Sequence, residues 1–229
     1  MKSFETVLFD LDGTLIRIPP NFVSLLNPLL RETCALLHVK EPSDNEIRNL
    51  WRSGKNYQHI LKEWGIKPSD FLVFWEIFDQ KDFELRKKLI QDQEIRLFDD
   101  TIPILTQIRQ KKSVKTGLIS NTPEIIADYE LKTFNLESFF DCRIFLGSIN
   151  QSHAKPEPDG LLWCLEGLEN EIKNKNATCY VGDSEIDIIA SKKANISTVL
   201  IIRDHNIDMK LTYTPDIYLN SLADILKYI

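Results

Sequence analysis

Residues 6–14, which read Thr-Val-Leu-Phe-Asp-Leu-Asp-Gly-Thr, decide the fold of this chain. The first four are β-branched or apolar and predict a buried strand, which ends at Asp10 because Asp and Gly are poor strand residues. Side chains two apart on an extended chain point the same way, so Asp10 and Asp12 can converge. Two carboxylates 4 Å apart repel by about 4 kcal/mol at an effective dielectric of ~20. Because folds usually place a proton, a lysine or a metal ion between such a pair, the segment indicates a functional site.

Two structural explanations compete with a functional site at this segment. An EF-hand calcium loop needs Gly at its sixth position and Glu at its twelfth. Counting from Asp10, those positions hold Leu15 and Asn21, so the calcium loop is excluded. A simple β-turn built on Asp and Gly stays open at this point. The remaining motifs of the chain bear on that choice.

The composition is that of a globular protein with a substantial core. The chain has 229 residues, of which 43% are hydrophobic and 27% charged, so one large domain or two smaller ones are possible. A net charge of -6 argues against nucleic acid or an anionic membrane as a partner. No apolar run approaches the ~20 residues of a membrane helix. With no signal peptide before the first strand and no Cys-x-x-Cys pair, we expect a cytoplasmic protein whose four cysteines are free thiols.

Short apolar strands recur in the second half of the chain, each followed by a polar loop and a helical pattern. Predicted strands end at Ile119, Leu146, Val181 and Ile202. This alternation predicts an α/β fold, a Rossmann-like doubly wound parallel sheet with helices on both faces. Ligands of such sheets collect at the carboxyl ends of the strands. The loops after Phe9, Ile119 and Val181 should therefore share one crevice.

Residues 18–96 interrupt this alternation with amphipathic helical patterns and no convincing strand. Within them, Ser43 and Glu46 have the spacing of a capping box that begins a helix. We therefore expect residues 18–96 to form a helical cap subdomain, inserted into a core domain made of residues 1–17 and 97–229. An insertion at that point would lie over the strand ends, where a lid belongs.

Polar residues follow the predicted strands where the crevice should be. Ser120 and Asn121 offer a hydroxyl and an amide, although they could equally begin a helix capped by Thr122 with Pro123 at its first position. Lys155 stands in a proline-stiffened segment just before a helix, where a lone lysine is usually a solvated surface charge. Taken one at a time, neither segment distinguishes a functional site from an ordinary structural role.

Two acids follow the predicted strand that ends at Val181. Asp187 has a structural alternative, because it completes a capping box with Ser184. Asp183 has no evident structural duty at a strand end beside Gly182. Asp183 is therefore the better candidate for chemistry.

Taken together, these segments resemble the haloacid dehalogenase-like (HAD) hydrolase superfamily. The resemblance is to the phosphoglycolate phosphatase and β-phosphoglucomutase branch, whose members carry a C1-type α-helical cap. Four motifs of the family stand in order, at residues 10–14, 120–121, 155–156 and 182–187. The resemblance covers essentially the whole chain, including a helical cap between the first and second motifs. Four motifs in order are far more specific than the first alone, and they make the turn-only explanation untenable.

The resemblance implies a role for each motif residue. Asp10 would be the nucleophile that forms an aspartyl-phosphate, and Asp12 would protonate the leaving alkoxide and later activate water. Mg²⁺ would be held by Asp10, the backbone carbonyl of Asp12 and Asp183. Asp187 would stand in or beside the metal shell, which is compatible with a capping role. The phosphoryl oxygens would be bound by Ser120, Asn121 and Lys155.

Several enzyme classes share these motifs. Dehalogenases of the superfamily lack an acid at the position of Asp12, so its presence favours phosphate transfer over carbon–halogen cleavage. Lys55 lies in a loop that resembles the cap specificity loop and could form the Schiff base of a phosphonatase, although a solvated lysine is the more common case. Arg52 and Lys55 are candidate contacts to an anionic leaving group.

A β-phosphoglucomutase-like sugar-phosphate mutase shares every core motif, and a catalytically silent HAD binding module is the alternative from another class. No catalytic position is missing, which gives a silent module no support. The sequence thus predicts a Mg²⁺-dependent phosphatase for a small phosphorylated metabolite. Phosphoglycolate-like compounds, sugar phosphates and nucleotides all stay open as substrates.

Overall fold

A computed structural model describes residues 3–168 and 174–229 of the chain. Its strands are β1 (Thr6–Phe9), β2 (Ile16–Arg17), β3 (Arg96–Leu97), β4 (Lys115–Ser120), β5 (Cys142–Phe145), β6 (Thr178–Gly182), β7 (Ser197–Ile201) and β8 (Ile217–Leu219). Its α-helices are α1 (Phe22–Leu36), α2 (Asp44–Arg52), α3 (Tyr57–Glu63), α4 (Phe71–Gln91), α5 (Thr101–Gln110), α6 (Glu124–Thr133), α7 (Asp159–Gly167) and α8 (Glu185–Lys193). Short 3₁₀ turns complete the connections, and the last of them spans Leu222–Tyr228.

Six of the strands form one parallel sheet in the spatial order β5-β4-β1-β6-β7-β8. Strand β1 is central and fully buried, and its last residue, Phe9, is level with Leu118 of β4 and Val181 of β6. The chain leaves β1 toward one edge and later returns to fill the other edge. The carboxyl ends of β1, β4 and β6 therefore meet where strand order reverses, the usual ligand position in such sheets. The predicted α/β fold class is confirmed.

Four α-helices, α1 to α4, lie between β2 and β3 in the sequence. The two short strands pair antiparallel, with Ile16 opposite Leu97 and Arg17 opposite Arg96. Arg96 thus belongs to this strand pair, at the very end of the range expected for the cap. The division into a core of residues 1–17 and 97–229 and a cap of residues 18–96 stays a prediction. None of the described helices is long and apolar enough to cross a membrane.

The ends of several helices follow their sequence signals. Ser43 caps α2 with a complete capping box to Glu46, as predicted. Asn195 adopts φ 57° just after α8, the left-handed conformation that Asn tolerates at a helix end. The helix expected to be capped by Thr122 begins one residue later, because Pro123 is its N-cap. The four cysteines are free thiols, as expected.

Two pairings of strands were missing from the sequence prediction. Strand β8 has three residues, and β2 and β3 have two each. Segments this short cannot display the alternation of apolar and polar residues on which strand prediction rests. They are stabilised by pairing with distant segments, which no local pattern reports.

Candidate active site

A buried lysine lies between two carboxylates at the carboxyl ends of the central strands. Lys155 donates a hydrogen bond from Nζ to Asp10 Oδ1 at 2.6 Å and another to Asp187 Oδ1 at 2.7 Å. A third goes to the hydroxyl of Tyr180 at 2.8 Å. Only 3% of Lys155 is exposed, so it is not the solvated surface charge that such a lysine usually is. Residues from three separate motifs are thereby joined through one ammonium group.

Burial and charge shift the pKa values in this cluster. Burial raises the pKa of Asp10 well above its usual range, by more than the Lys155 ammonium lowers it, and neighbouring carboxylates add to the rise. Burial alone would lower the pKa of Lys155, but Asp10 and Asp187 raise it above the ordinary lysine value. Burial also raises the pKa of Asp183, against the hydrogen bond from His205. Lys155 therefore stays charged. The positive charge near Asp10 and Asp183 is too small to offset the effect of burial on their pKa values.

Asp183 is held in place by groups from two other segments. Its Oδ1 accepts a hydrogen bond from Thr14 Oγ1 at 3.1 Å, and its Oδ2 lies 2.7 Å from His205 Nε2. Its backbone carbonyl accepts from Asn206 Nδ2 at 2.6 Å. The first loop approaches it closely at Gly13, where φ is 78° and an added Cβ would lie 2.4 Å from Asp183 Oδ2. Only glycine fits there, in conformation and in space.

The acids of the site suit a hard divalent cation. Carboxylate oxygens of Asp10, Asp183 and Asp187 all lie within 4.8 Å of one another. Three carboxylates beside the single ammonium of Lys155 leave two negative charges unbalanced. An all-oxygen donor set of this charge is the kind that Mg²⁺ or Ca²⁺ prefers. Asp187 is less available than the other two, because Lys155, Tyr180 and Ser184 already donate to its oxygens.

Asp187 also has the structural role considered for it. Its Oδ2 accepts hydrogen bonds from the backbone N–H and the hydroxyl of Ser184, completing a capping box at the start of α8. Its Oδ1 accepts from Lys155 at the same time. The side chain therefore links a helix cap to the lysine of the cluster.

The second acid of the first motif, Asp12, points to an arginine of helix α4. Arg86 donates from Nη1 to Asp12 Oδ1 at 3.1 Å and from Nη2 to Asp12 Oδ2 at 2.8 Å, a bidentate pair. Thr122, whose predicted capping role is not observed, donates its hydroxyl to Asp12 Oδ2 at 2.9 Å. The carboxylate of Asp12 is therefore fixed by side chains from two other segments.

Arg86 itself lies at the centre of a buried acidic cluster. Its guanidinium also contacts Asp82 at 3.2 Å and Glu130 at 2.8 Å, and its side chain is only 5% exposed. Burial would lower its pKa, but Asp12, Asp82 and Glu130 raise it well above the usual value. This arginine was not predicted from the sequence as part of the site. Its signal was weak, because Asp82 and Arg86 have the i, i+4 spacing of an ordinary ion pair on a helix surface.

The side chains of the second motif, Ser120 and Asn121, hydrogen-bond to Thr122 and to the backbone of Lys155. Ser120 Oγ donates to Thr122 Oγ1 at 3.0 Å and accepts from the backbone N–H of Thr122 at 3.1 Å. Asn121 Nδ2 donates to the carbonyl of Lys155 at 2.9 Å, and its Oδ1 accepts from the Lys155 N–H at 2.8 Å. The amide of Asn121 thus positions Lys155 in this structure. Both residues line the same cavity as Asp10.

That cavity has a volume of about 340 Å³ and separates the strand ends from the helices α1, α2 and α4. Asp10, Asp12, Lys155 and Asp183 line one side of it. The two cap residues expected to contact substrate, Arg52 and Lys55, are exposed and are not among the residues that line it. The structure therefore brings the core motifs together and leaves the two cap cations outside.

The chain is similar to known phosphatases along its whole length. A model of the haloacid dehalogenase-like hydrolase family matches residues 7–201. The chain is 27% identical over 237 residues to the pyrophosphatase PpaX of Anoxybacillus flavithermus, with 98% of this chain and 96% of that protein covered. It is 27% identical over 225 residues to the phosphoglycolate phosphatase of Aquifex aeolicus, with 97% and 95% covered.

The fold is similar to that of solved structures. CbbY from Rhodobacter sphaeroides, in complex with phosphate, superposes with a TM-score of 0.69 at 18% identity, covering 97% of this chain and 96% of that one. At this identity the similarity speaks for the fold alone. Because the family model spans most of the sequence, the chain belongs to the haloacid dehalogenase-like hydrolases and is an enzyme of their phosphatase group.

Proposed function

We propose that this protein is a Mg²⁺-dependent phosphatase that hydrolyses a small phosphorylated metabolite through an aspartyl-phosphate on Asp10. The observation that supports it best is the position of Lys155, whose Nζ lies 2.6 Å from Asp10 Oδ1 at the wall of the cavity. Phosphoryl transfer depends on positioning and on neutralising the oxygens that carry the charge. A buried ammonium beside a buried carboxylate nucleophile provides both.

In the first step, a carboxylate oxygen of Asp10 attacks phosphorus while the bond to the leaving oxygen breaks. Asp12 gives its proton to that oxygen, so the product leaves as a neutral alcohol. Lys155 and the hydroxyl of Ser120 balance charge on the phosphoryl oxygens. In this structure both oxygens of Asp12 accept hydrogen bonds, from Arg86 and from the hydroxyl of Thr122, so one of these contacts must open before Asp12 carries and donates the proton.

In the second step, water attacks the phosphorus of the aspartyl-phosphate and gives its proton to Asp12. Inorganic phosphate leaves, and the carboxylate of Asp10 is regenerated. Mg²⁺, when bound by Asp10, the Asp12 carbonyl and Asp183, supplies the positive charge that the acidic cluster lacks. Asp187 holds Lys155 toward Asp10 and keeps α8 in register with the site.

The test is hydrolysis of p-nitrophenyl phosphate with Mg²⁺ and with EDTA. We expect release of p-nitrophenol that depends on the metal and falls by at least about 10³-fold in Asp10→Asn. Asp99→Asn makes the same chemical change at an exposed carboxyl and serves as the control. After an acid quench, mass spectrometry should find a phosphoryl adduct on the peptide that contains Asp10. Equal turnover by Asp10→Asn and the parent protein would contradict the mechanism.

The same preparation separates a phosphatase from the mutase alternative. With a sugar phosphate as substrate, a phosphatase releases inorganic phosphate, whereas a mutase returns an isomer and keeps the phosphate bound. We expect phosphate release. Isomerisation without release of phosphate would assign the site to a mutase.

A further inference from the structure

The half of the active-site cavity that faces away from the catalytic acids is lined mainly by apolar side chains. Helices α1, α2 and α4 and the segment before them contribute a set of aliphatic and aromatic side chains to it. These are Ile18, Val23, Leu26, Trp51, Trp75 and Phe78. A phosphate ester bound at Asp10 would extend its leaving group toward this wall.

The aromatic part of the wall is a packed cluster. The ring centroids of Trp51 and Phe78 lie 5.5 Å apart, and those of Trp75 and Phe78 lie 6.0 Å apart. Among the described residues, the indole N–H groups of Trp51 and Trp75 have no hydrogen-bond partner. Rings packed in this way form a rigid apolar wall, of which Trp51 is the more exposed member because Trp75 and Phe78 are almost fully buried.

The charges on this side of the cavity are unfavourable for an anion. Asp79 and Asp82 of helix α4 both line it. Of the described lining residues, the cations are Lys155, which is bound to the core acids, and Arg86. The guanidinium of Arg86 is already shared by Asp12, Asp82 and Glu130. A carboxylate or a second phosphate on the substrate would thus meet no available cation among the described lining residues.

We propose that the substrate is a phosphate monoester whose leaving group is uncharged and apolar, with an aromatic ring as the best fit. This inference rests on the proposed phosphatase function and specifies its substrate class. This substrate class differs from the compounds in the names of the relatives, phosphoglycolate and pyrophosphate. Their leaving groups, glycolate and phosphate, are anionic. The cavity of about 340 Å³ holds a phosphate and a leaving group of one or two rings.

The first test compares two primary alkyl esters that differ only in the group beyond the CH₂, benzyl phosphate and phosphoglycolate. With Mg²⁺ present, kcat/KM for benzyl phosphate should exceed that for phosphoglycolate by about tenfold or more, and pyrophosphate should be hydrolysed still less well. Equal or faster hydrolysis of phosphoglycolate or pyrophosphate would overturn the inference and leave the phosphatase function intact. If no ester releases phosphate, p-nitrophenyl phosphate included, the proposed function fails and this inference with it.

A variant pair locates the leaving group on the apolar wall. Val23 lines the cavity and is 51% exposed, so Val23→Arg adds a cation there without disturbing a core. The ratio of kcat/KM for phosphoglycolate to that for benzyl phosphate should rise about tenfold. Leu36→Arg, on the same helix, 59% exposed and not a lining residue, is the matched control and should leave the ratio unchanged. An unchanged ratio in Val23→Arg would contradict the assignment of this wall to the leaving group.

Discussion

Arg86 joins the helices between β2 and β3 to the catalytic core through one side chain. It is almost fully buried and contacts three carboxylates, of which Asp12 belongs to the first motif and Glu130 to helix α6. A buried ion cluster gives little net stability when complete, but it is costly to break, because removal of one partner leaves the other charges buried and uncompensated. Arg86 is therefore a residue on which stability and the orientation of Asp12 both depend.

Replacing Arg86 should destabilise the fold strongly. We expect Arg86→Gln to lower the free energy of unfolding by about 3–5 kcal/mol, measured by urea denaturation. The double variant Arg86→Gln/Glu130→Gln should regain part of that loss, because one buried carboxyl is removed with the arginine. Arg109→Gln is the control, since Arg109 is 41% exposed in its pair with Asp141, and such pairs contribute about 0–1 kcal/mol. A loss of less than 1 kcal/mol in Arg86→Gln would show that the cluster is not a structural link.

Some residues that line the cavity could be predicted from the sequence and others could not, for a physical reason. Asp10 and Asp183 could be predicted because each directly follows a strand, and the ends of parallel strands meet at one edge of a sheet. Arg86 could not, since it stands 74 residues from Asp12 on a helix whose direction depends on packing. Thr122 was predicted as a cap, and only the one-residue shift of α6 turns its hydroxyl toward Asp12.

At the scale of secondary-structure elements, two capping boxes of the same type differ in their contacts with the site: only the box of α8 includes a residue that binds Lys155. Ser43 caps α2, the helix whose Trp51 lines the cavity, through hydrogen bonds with Glu46. Ser184 caps α8 through Asp187, whose other oxygen accepts from Lys155. The sequence predicts both boxes equally well, because the signal is local. It does not show which one is connected to the chemistry.

This difference gives a matched pair of substitutions. Ser43→Ala should lower the free energy of unfolding by about 1 kcal/mol and leave kcat unchanged. Ser184→Ala should cost a similar amount of stability and also lower kcat, because Asp187 loses a partner that orients it toward Lys155. Urea denaturation and p-nitrophenyl phosphate turnover measure the two effects on the same preparations. Equal kcat values for the two variants would contradict a positioning role of Asp187.

Across the whole molecule, acids are buried around the cavity in excess of the cations that face them. The pKa values of two of them are raised into the working range of pH. Burial raises the pKa of Asp79 from 3.8 to about 7, with help from Asp82 and Glu76. Burial raises the pKa of Glu130 from 4.5 to about 8, although Arg86 lowers it. Between about pH 4 and pH 7 the folded protein therefore holds a proton at Asp79 that the unfolded chain has already lost.

Because the folded protein binds more protons than the unfolded chain in this range, its free energy of unfolding falls as pH rises. Stability contributed by a group with a raised pKa is greatest below its unfolded value and falls as pH rises toward its folded value. For Asp79 that window runs from about pH 4 to pH 7, so Asp79→Asn should become more stabilising, relative to the parent, as pH rises. Between pH 5 and pH 8 the gain should grow by roughly 2–3 kcal/mol, in urea denaturation with EDTA present. Asp99→Asn, at an exposed carboxyl, should show no such growth, and a pH-independent effect of Asp79→Asn would contradict the burial of a proton at that site.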